Sequence, residues 1–260
     1  MYLRPRNLSE LFEMWHAHPE AVPVAGGSRV LPLGPQRPAV LLDLAIAALQ
    51  TIEKEAQFLT FGPMVSVDRL AAVLASLPGL HAVAQAALGF VPVQVRKQAT
   101  LGGNLLIGGS LAPALAAVGA IAIIKNHQEI QELPIQSVVP VQPGRLRLPA
   151  QTLLVAVRLP LEPSMVSYYA ALRRTPVGPA VAAVAVAVVG SGLRLAVGGA
   201  TPQLQMMQGD LADRAAMDRW LQDLPVTGDP RASAAYRQAM LALLLERALD
   251  ALPTASRQSA

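Results

Sequence analysis

The chain is expected to adopt an α+β fold, on three observations. Helix-type and strand-type patterns alternate through residues 1–162. Two glycine pairs, Ala25-Gly26-Gly27-Ser28 and Thr100-Leu101-Gly102-Gly103-Asn104, each follow a segment that reads as extended, Val22–Val24 and Val93–Ala99. From residue 163 on, three successive β-type runs precede two helices.

The elements can be justified in order. Asn7 with Glu10 three residues on forms a capping-box pattern, and Leu8, Leu11, Phe12 and Trp15 make one apolar stripe that ends at His18-Pro19. Val22–Val24 and Val40–Leu44 read as strands separated by a Pro- and Gly-rich loop. Thr51–Lys54 and Gln57–Phe61 read as a hairpin broken by Gly62-Pro63. Ser66 opens a helix with Leu70, Val73, Leu74 and Leu77 on one face, and Pro78-Gly79 closes it. Leu80–Leu88 and Ala112–Val118 are further helices, Ile121–Lys125 and Leu153–Leu159 strands, with weaker strand signals at Gln131–Ser137 and Arg145–Leu148. Ser167–Leu172, Ala180–Val188 and Leu193–Val197 read as three antiparallel strands, with Gly190-Ser191-Gly192 as a hairpin turn. Ala180–Val189 alternates Ala with Val too closely to show a wet face, and its small side chains call for tightly packed helices. Helices around Asp213–Leu224 and Ser233–Leu252 follow, and a frayed polar tail from Pro253 is expected.

Composition narrows the function. Hydrophobic residues make up 53% and charged ones 15%, a globular balance. The net charge of +4 is dispersed, with no aromatic-interleaved basic patch, which argues against nucleic acid while suiting a phosphate-rich ligand. There is no cysteine, so zinc–thiolate sites and cysteine-ligated iron–sulfur clusters are excluded on this chain, and any such centre belongs to a partner. No apolar run reaches the roughly 18–20 residues of a membrane span, and a cytoplasmic location is expected.

Glycine lets main-chain N–H groups converge on an anion, and two such sites suit the two phosphates of a dinucleotide. Taken alone, each pair is equally an ordinary tight turn. No Ser-His-Asp order, paired carboxylates or metal-type histidine spacing appears. The chain therefore offers no general acid or base, as expected of a protein whose redox chemistry resides in a cofactor.

The flanking residues are more specific. Val24-Ala25-Gly26-Gly27-Ser28, the long stretch Gln94–Leu105 (QVRKQATLGGNL), and Asp229-Pro230-Arg231-Ala232-Ser233 through Tyr236-Arg237 with Glu246-Arg247-Ala248 occur in order. Together they resemble the FAD-binding medium subunit of the molybdenum hydroxylases, the family of bacterial carbon monoxide dehydrogenase, xanthine dehydrogenase and 4-hydroxybenzoyl-CoA reductase. The resemblance implies a two-subdomain FAD-binding fold of the vanillyl-alcohol-oxidase type, over 1–56 and 57–162. A C-terminal flavoprotein domain of a three-stranded antiparallel sheet with helices then occupies 163–260. It implies noncovalent FAD between the first two units. Backbone N–H groups of Gly26, Gly27 and Ser28 would face its pyrophosphate, with Thr100, Gly102 and Gly103 closing the other side. The hydroxyls of Ser28 and Thr100 would donate to phosphate, and Ala25 would keep the strand end close to the flavin. Asn104 would either fix the second turn or touch the cofactor. The same resemblance implies that electrons leave a substrate at a molybdopterin centre on a large subunit and cross [2Fe–2S] clusters on a small subunit. They then reach FAD here and pass to NAD, a quinone or oxygen.

The chain departs from the family pattern in two places that bear on the cofactor, and a third gap follows Arg173-Arg174, where Thr175-Pro176-Val177-Gly178-Pro179 stands and family members often carry an Asp. Arg29-Val30-Leu31-Pro32 and a short Leu33–Pro38 loop stand after the first motif. Gly108-Gly109-Ser110-Leu111-Ala112 stands where the family has an Asp near the ribose, and Ser110 can replace one hydrogen bond but not a charge-assisted one. These departures motivate a rival reading, a non-catalytic structural subunit that kept the fold and lost or weakened FAD binding.

Overall fold

The computed structural model describes residues 1–89, 91–141, 147–176 and 178–252. Arg145 and its neighbour in the expected Arg145–Leu148 strand, Val177 of the loop after Arg173-Arg174, and the tail from Pro253 lie outside them.

Three sheets organise the chain. The first is parallel, β1 (Tyr2–Leu3), β3 (Leu41–Asp43) and β2 (Val22–Val24), with β3 in the centre. Helix α1 (Leu8–Ala17) buries Leu11, Phe12 and Trp15 together with Leu42 and Leu49. Asn7 caps it by accepting from the Glu10 N–H at 2.9 Å, while the Glu10 carboxylate accepts from Arg6 N–H, one residue earlier than a capping box requires.

The second sheet is antiparallel with the order β4 (Ile52–Lys54), β5 (Phe58–Phe61), β8 (Leu153–Pro160), β6 (Ile121–Lys125), β7 (Ile130–Pro134). Strand β4 falls inside the segment 1–56 yet pairs with β5, so a division at 56 cuts between two paired strands. Helices α2 (Val67–Leu74), α3 (His81–Leu88), α4 (Val93–Gln98), α5 (Leu101–Leu106) and α6 (Leu111–Ala117) lie between β5 and β6 in the chain.

The third sheet corrects an expectation. It has four strands, β12 (Gln205–Asp210), β11 (Gly192–Gly198), β10 (Ala182–Val189) and β9 (Val166–Leu172), not three. Strand β12 reads Gln-Met-Met-Gln-Gly-Asp, a polar edge strand without apolar alternation. Its two methionines face opposite ways, Met206 towards the core shared with α6 and Met207 towards the C-terminal helices. The Ala/Val alternation of β10 is explained in the same way. Ala183, Ala185 and Ala187 face α3 and α6, whereas Val184, Val186 and Val188 face α8 (Ala234–Asp250) on the other side. Neither face is wet, and the small alanines allow the close approach of α6. Helix α7 (Arg214–Gln222), capped by Asp213, packs on α8 and β12.

Arg194 of β11 ties the last sheet to the middle of the chain. Its Nε donates to Ala117 O at 2.9 Å and its Nη2 to Val118 O at 3.3 Å, capping the C-terminal end of α6 with a cation. Gly119, which ends this turn, has φ +77, a left-handed conformation that explains the glycine there. Replacing Arg194 with Met retains most of the packing volume but leaves these carbonyls without a donor. We expect a loss of about 2 kcal/mol in urea unfolding, with the slope unchanged.

Candidate functional site

The site begins with main-chain contacts that admit no side chain. The loop after β5 runs through Gly62 and Pro63 into Ser66, which caps α2. Across from it, Val67 N–H donates to Ala99 O (2.8 Å), Leu101 N–H to Val65 O (2.9 Å) and Gly102 N–H to Pro63 O (2.8 Å). These bonds fix residues 99–102 as a rigid strip. A Cβ on Gly102 would meet Pro63 Cβ at 2.7 Å, and one on Gly26 would stand 1.8 Å from the Gln98 carbonyl oxygen. The two glycine segments, 74 residues apart between Gly26 and Thr100, are therefore neighbours: a Cβ on Gly26 would stand 3.4 Å from Thr100 Cγ2, and Ala25 Cβ lies 3.9 Å from where a Cβ on Gly103 would be.

The two segments differ in what they leave open. Gly27 has φ +70, in the left-handed region. Among the described residues, the N–H groups of Gly26, Gly27 and Ser28 donate to no protein acceptor. The second segment is not a turn of that kind. Val93–Ala99 was expected to be extended but forms α4. The Val-Gln-Val alternation resembles a strand, whereas Arg96 fixes a helix there by donating to Leu88 O (2.7 Å) and pairing with Asp68 (3.4 Å). Gly102 and Gly103 open α5 with no positive φ. Thr100 caps that helix, its hydroxyl oxygen accepting from Gly103 N–H at 3.1 Å. The N–H groups of Gly102 and Gly103 are thus already engaged, and their contribution is close approach rather than donation. The Thr100 hydroxyl keeps its own proton for a further acceptor.

Asn104 is 3% exposed, and its Oδ1 accepts from Leu111 N–H at 3.1 Å. This orients the amide so that Nδ2 is a buried donor without a partner among the described residues. Both roles left open for Asn104 are therefore available, one oxygen fixing α6 and one nitrogen unspent.

Ala25, Gly26, Gly27, Ser28, Thr100, Gly102, Gly103, Asn104 and Ser110 all line a single cavity of about 840 Å³. All three sheets and the loops between them contribute to its wall. Arg29 and Arg231 are its only charged side chains among the described residues, and no carboxylate faces it. Tyr169 and Gln151 are further lining residues with no sequence signal. Gln151 has φ +52 and donates from Nε2 to Trp15 O at 3.0 Å. Tyr169 is 5% exposed with an unpartnered hydroxyl. Arg231 belongs to a motif noted in the sequence, but nothing in its spacing brings it to the glycine segments.

The comparisons with known proteins agree with this geometry. Residues 1–162 match the model of the FAD binding domain in molybdopterin dehydrogenase. The chain belongs to the FAD-binding medium subunits of the molybdenum hydroxylases. Over 271 aligned residues it is 25% identical to the nicotine 6-hydroxylase medium subunit of Paenarthrobacter nicotinovorans, covering 95% of each chain. It is 30% identical over 135 residues to caffeine dehydrogenase subunit beta of Pseudomonas sp. strain CBB1, covering 49% of this chain and 46% of that one. The fold matches carbon monoxide dehydrogenase of Hydrogenophaga pseudoflava with a TM-score of 0.86 at 23% identity, over 96% of both chains. The family is one of oxidoreductase subunits, and FAD is the cofactor of the matched domain. No helix among the described residues is long and apolar enough to cross a membrane.

Burial pushes the Tyr169 phenol up to about 12, with the Arg173 guanidinium opposing only in part. A phenol raised from 10.0 in the unfolded chain stabilises the fold fully below that value, and this contribution is lost as pH rises towards 12. Unfolding titrations should show a loss of about 2–3 kcal/mol across that window. Tyr169→Phe should flatten this part of the profile.

Proposed function

We propose that this chain holds FAD noncovalently in the cavity and serves as the electron-transfer subunit of a molybdopterin-dependent hydroxylase or dehydrogenase. The observation that carries the reading is the convergence of unspent donors on one cavity without a carboxylate. Gly26, Gly27 and Ser28 offer N–H groups, Thr100 a hydroxyl proton and Asn104 a buried Nδ2. A dinucleotide pyrophosphate accepts from donors of this kind. The approach of Gly26 to Gln98, which places these amides on the cavity lining, requires the absence of a side chain. FAD supplies one- and two-electron chemistry when bound. The chain's own part is to bind and orient the cofactor: Ser28 and Ser110 offer hydroxyls on the cavity lining, Gly102 and Gly103 allow close approach, and Ala25 stands next to Gly103.

In this reading 1–162 is a two-part FAD-binding region of the vanillyl-alcohol-oxidase type, its first part ending between Asp43 and Ile52, and the remainder is a C-terminal flavoprotein domain. The partners are a small subunit carrying [2Fe–2S] clusters and a large subunit carrying molybdopterin, in a cytoplasmic complex that passes electrons to NAD or another acceptor. The relatives named as medium and beta subunits support such a complex.

The segment Gly108–Ala112, which offers the Ser110 hydroxyl where the family has an Asp, motivates a second reading, a structural subunit that retained the fold with weak or no cofactor. FAD titration of the deflavinated complex separates the two. The first reading predicts stoichiometric binding and a flavin absorption band bleached by the complex's substrate. Gly26→Ala, whose new methyl must displace the Gln98 carbonyl, should weaken binding by about tenfold or more, equivalent to at least one hydrogen bond to a charged group. An assembled native complex that takes up no FAD decides for the structural subunit.

A further inference from the structure

The cavity wall built by the C-terminal part of the chain carries a charge arrangement that the glycine segments do not explain. The turn at 229–232 is closed by reciprocal main-chain bonds between Asp229 and Ala232, 3.0 and 3.1 Å. Within it, Arg231 N–H donates to Asp229 Oδ1 at 2.8 Å, and the Arg231 side chain donates to Oδ2 from Nη2 at 2.7 Å and from Nε at 3.1 Å. Arg237, in the first turn of α8, approaches the same carboxylate from behind, its Nη2 2.5 Å from Oδ1. Arg237 is only 3% exposed and donates from Nη1 to Gly199 O at 3.0 Å. Gly199 is itself a cavity residue, as is Arg231.

One carboxylate therefore serves two guanidinium groups, and the cluster keeps a net positive charge. Arg237 is ion-paired with Asp229 through Nη2 and donates to Gly199 O from Nη1. Arg231 uses one edge on Asp229, and among the described residues its Nη1 has no protein acceptor. An ion pair needed only for stability would be complete with Arg237 alone. The second arginine instead stands on the wall of a cavity that no carboxylate lines among the described residues. A guanidinium held by one edge and open at the other is a fixed fork for an anionic group.

We propose that Arg231 holds an anionic locus of the bound dinucleotide, with Asp229 as its positioning residue and Arg237 anchoring both to the Gly199 loop. This assignment rests on the cavity holding FAD. The locus is either a phosphate oxygen or the pyrimidine edge of the flavin ring, which gains negative charge on reduction. Both present the same chemistry to a guanidinium.

The test compares the native complex with Arg231→Gln, Arg231→Lys, Asp229→Asn and the Asp229→Asn/Arg231→Gln double variant. For each, FAD and riboflavin affinities, the midpoint potential of the bound flavin and the thermal midpoint are measured. A phosphate contact predicts FAD affinity about tenfold weaker in Arg231→Gln with riboflavin unaffected. A ring contact predicts a potential lower by about 30 mV, the two-electron equivalent of tenfold. In both cases Arg231→Lys should recover part of the effect and Asp229→Asn should reproduce part of it. The double variant should be no worse than Arg231→Gln, because Asp229 acts through Arg231. Added salt should narrow the gap between native and Arg231→Gln. Unchanged affinity and potential in Arg231→Gln, with native FAD binding intact, would overturn the proposal while leaving the flavoprotein reading in place. Failure of the native complex to bind FAD would overturn both.

Discussion

The site depends on one steric constraint: the main chain at Gly26 lies against the Gln98 carbonyl, at a separation that leaves no room for a Cβ. Everything on the second side of that contact is pinned independently, by the three main-chain bonds that join residues 99–102 to 63–67. The loop that follows β2 of the first sheet therefore meets a surface that is already rigid. Such a contact, between the loop after β2 and the end of α4, is set by backbone rather than side chains. It holds its geometry with little side-chain entropy to lose, and the N–H groups of 26–28 beside it have no protein acceptor among the described residues.

The two glycine segments consequently do different work. In the first, Gly27 adopts a left-handed φ and the amides remain free. In the second, the amides of Gly102 and Gly103 are consumed by Pro63 O and by the Thr100 hydroxyl. What the second segment contributes is a surface without side chains, a hydroxyl proton and, three residues after Leu101, the buried amide of Asn104. The C-terminal sheet is joined to this assembly through β10, whose alanine face receives α6, and through the Arg194 cap at the end of α6. Its loops at Gly198–Leu204 and Arg231 can then complete the cavity.

Much of this was legible in the sequence. Asn7, Ser66 and Ser233 cap the helices their spacing implies, and the residues flanking both glycine pairs pointed to a common site. The segment 93–99 was misjudged because β-branched alternation mimics a strand, while the helix there is fixed by contacts of Arg96 outside the segment, with Leu88 O and with Asp68, the latter 28 residues away. Strand β12 was missed because an edge strand needs only one partner and its polar composition gives no periodicity. Arg231, Tyr169 and Gln151 were invisible as cavity residues because their placement is a product of how three sheets meet, which no local pattern encodes.

The most direct measurement is residue-resolved amide hydrogen exchange of the assembled protein with and without FAD. The account predicts that Gly26, Gly27 and Ser28 exchange freely without the cofactor and become protected when it is added, whereas Gly102 and Gly103 are protected in both states. Free exchange at Gly102 and Gly103 without FAD, or no change at 26–28 under saturating FAD, would contradict it.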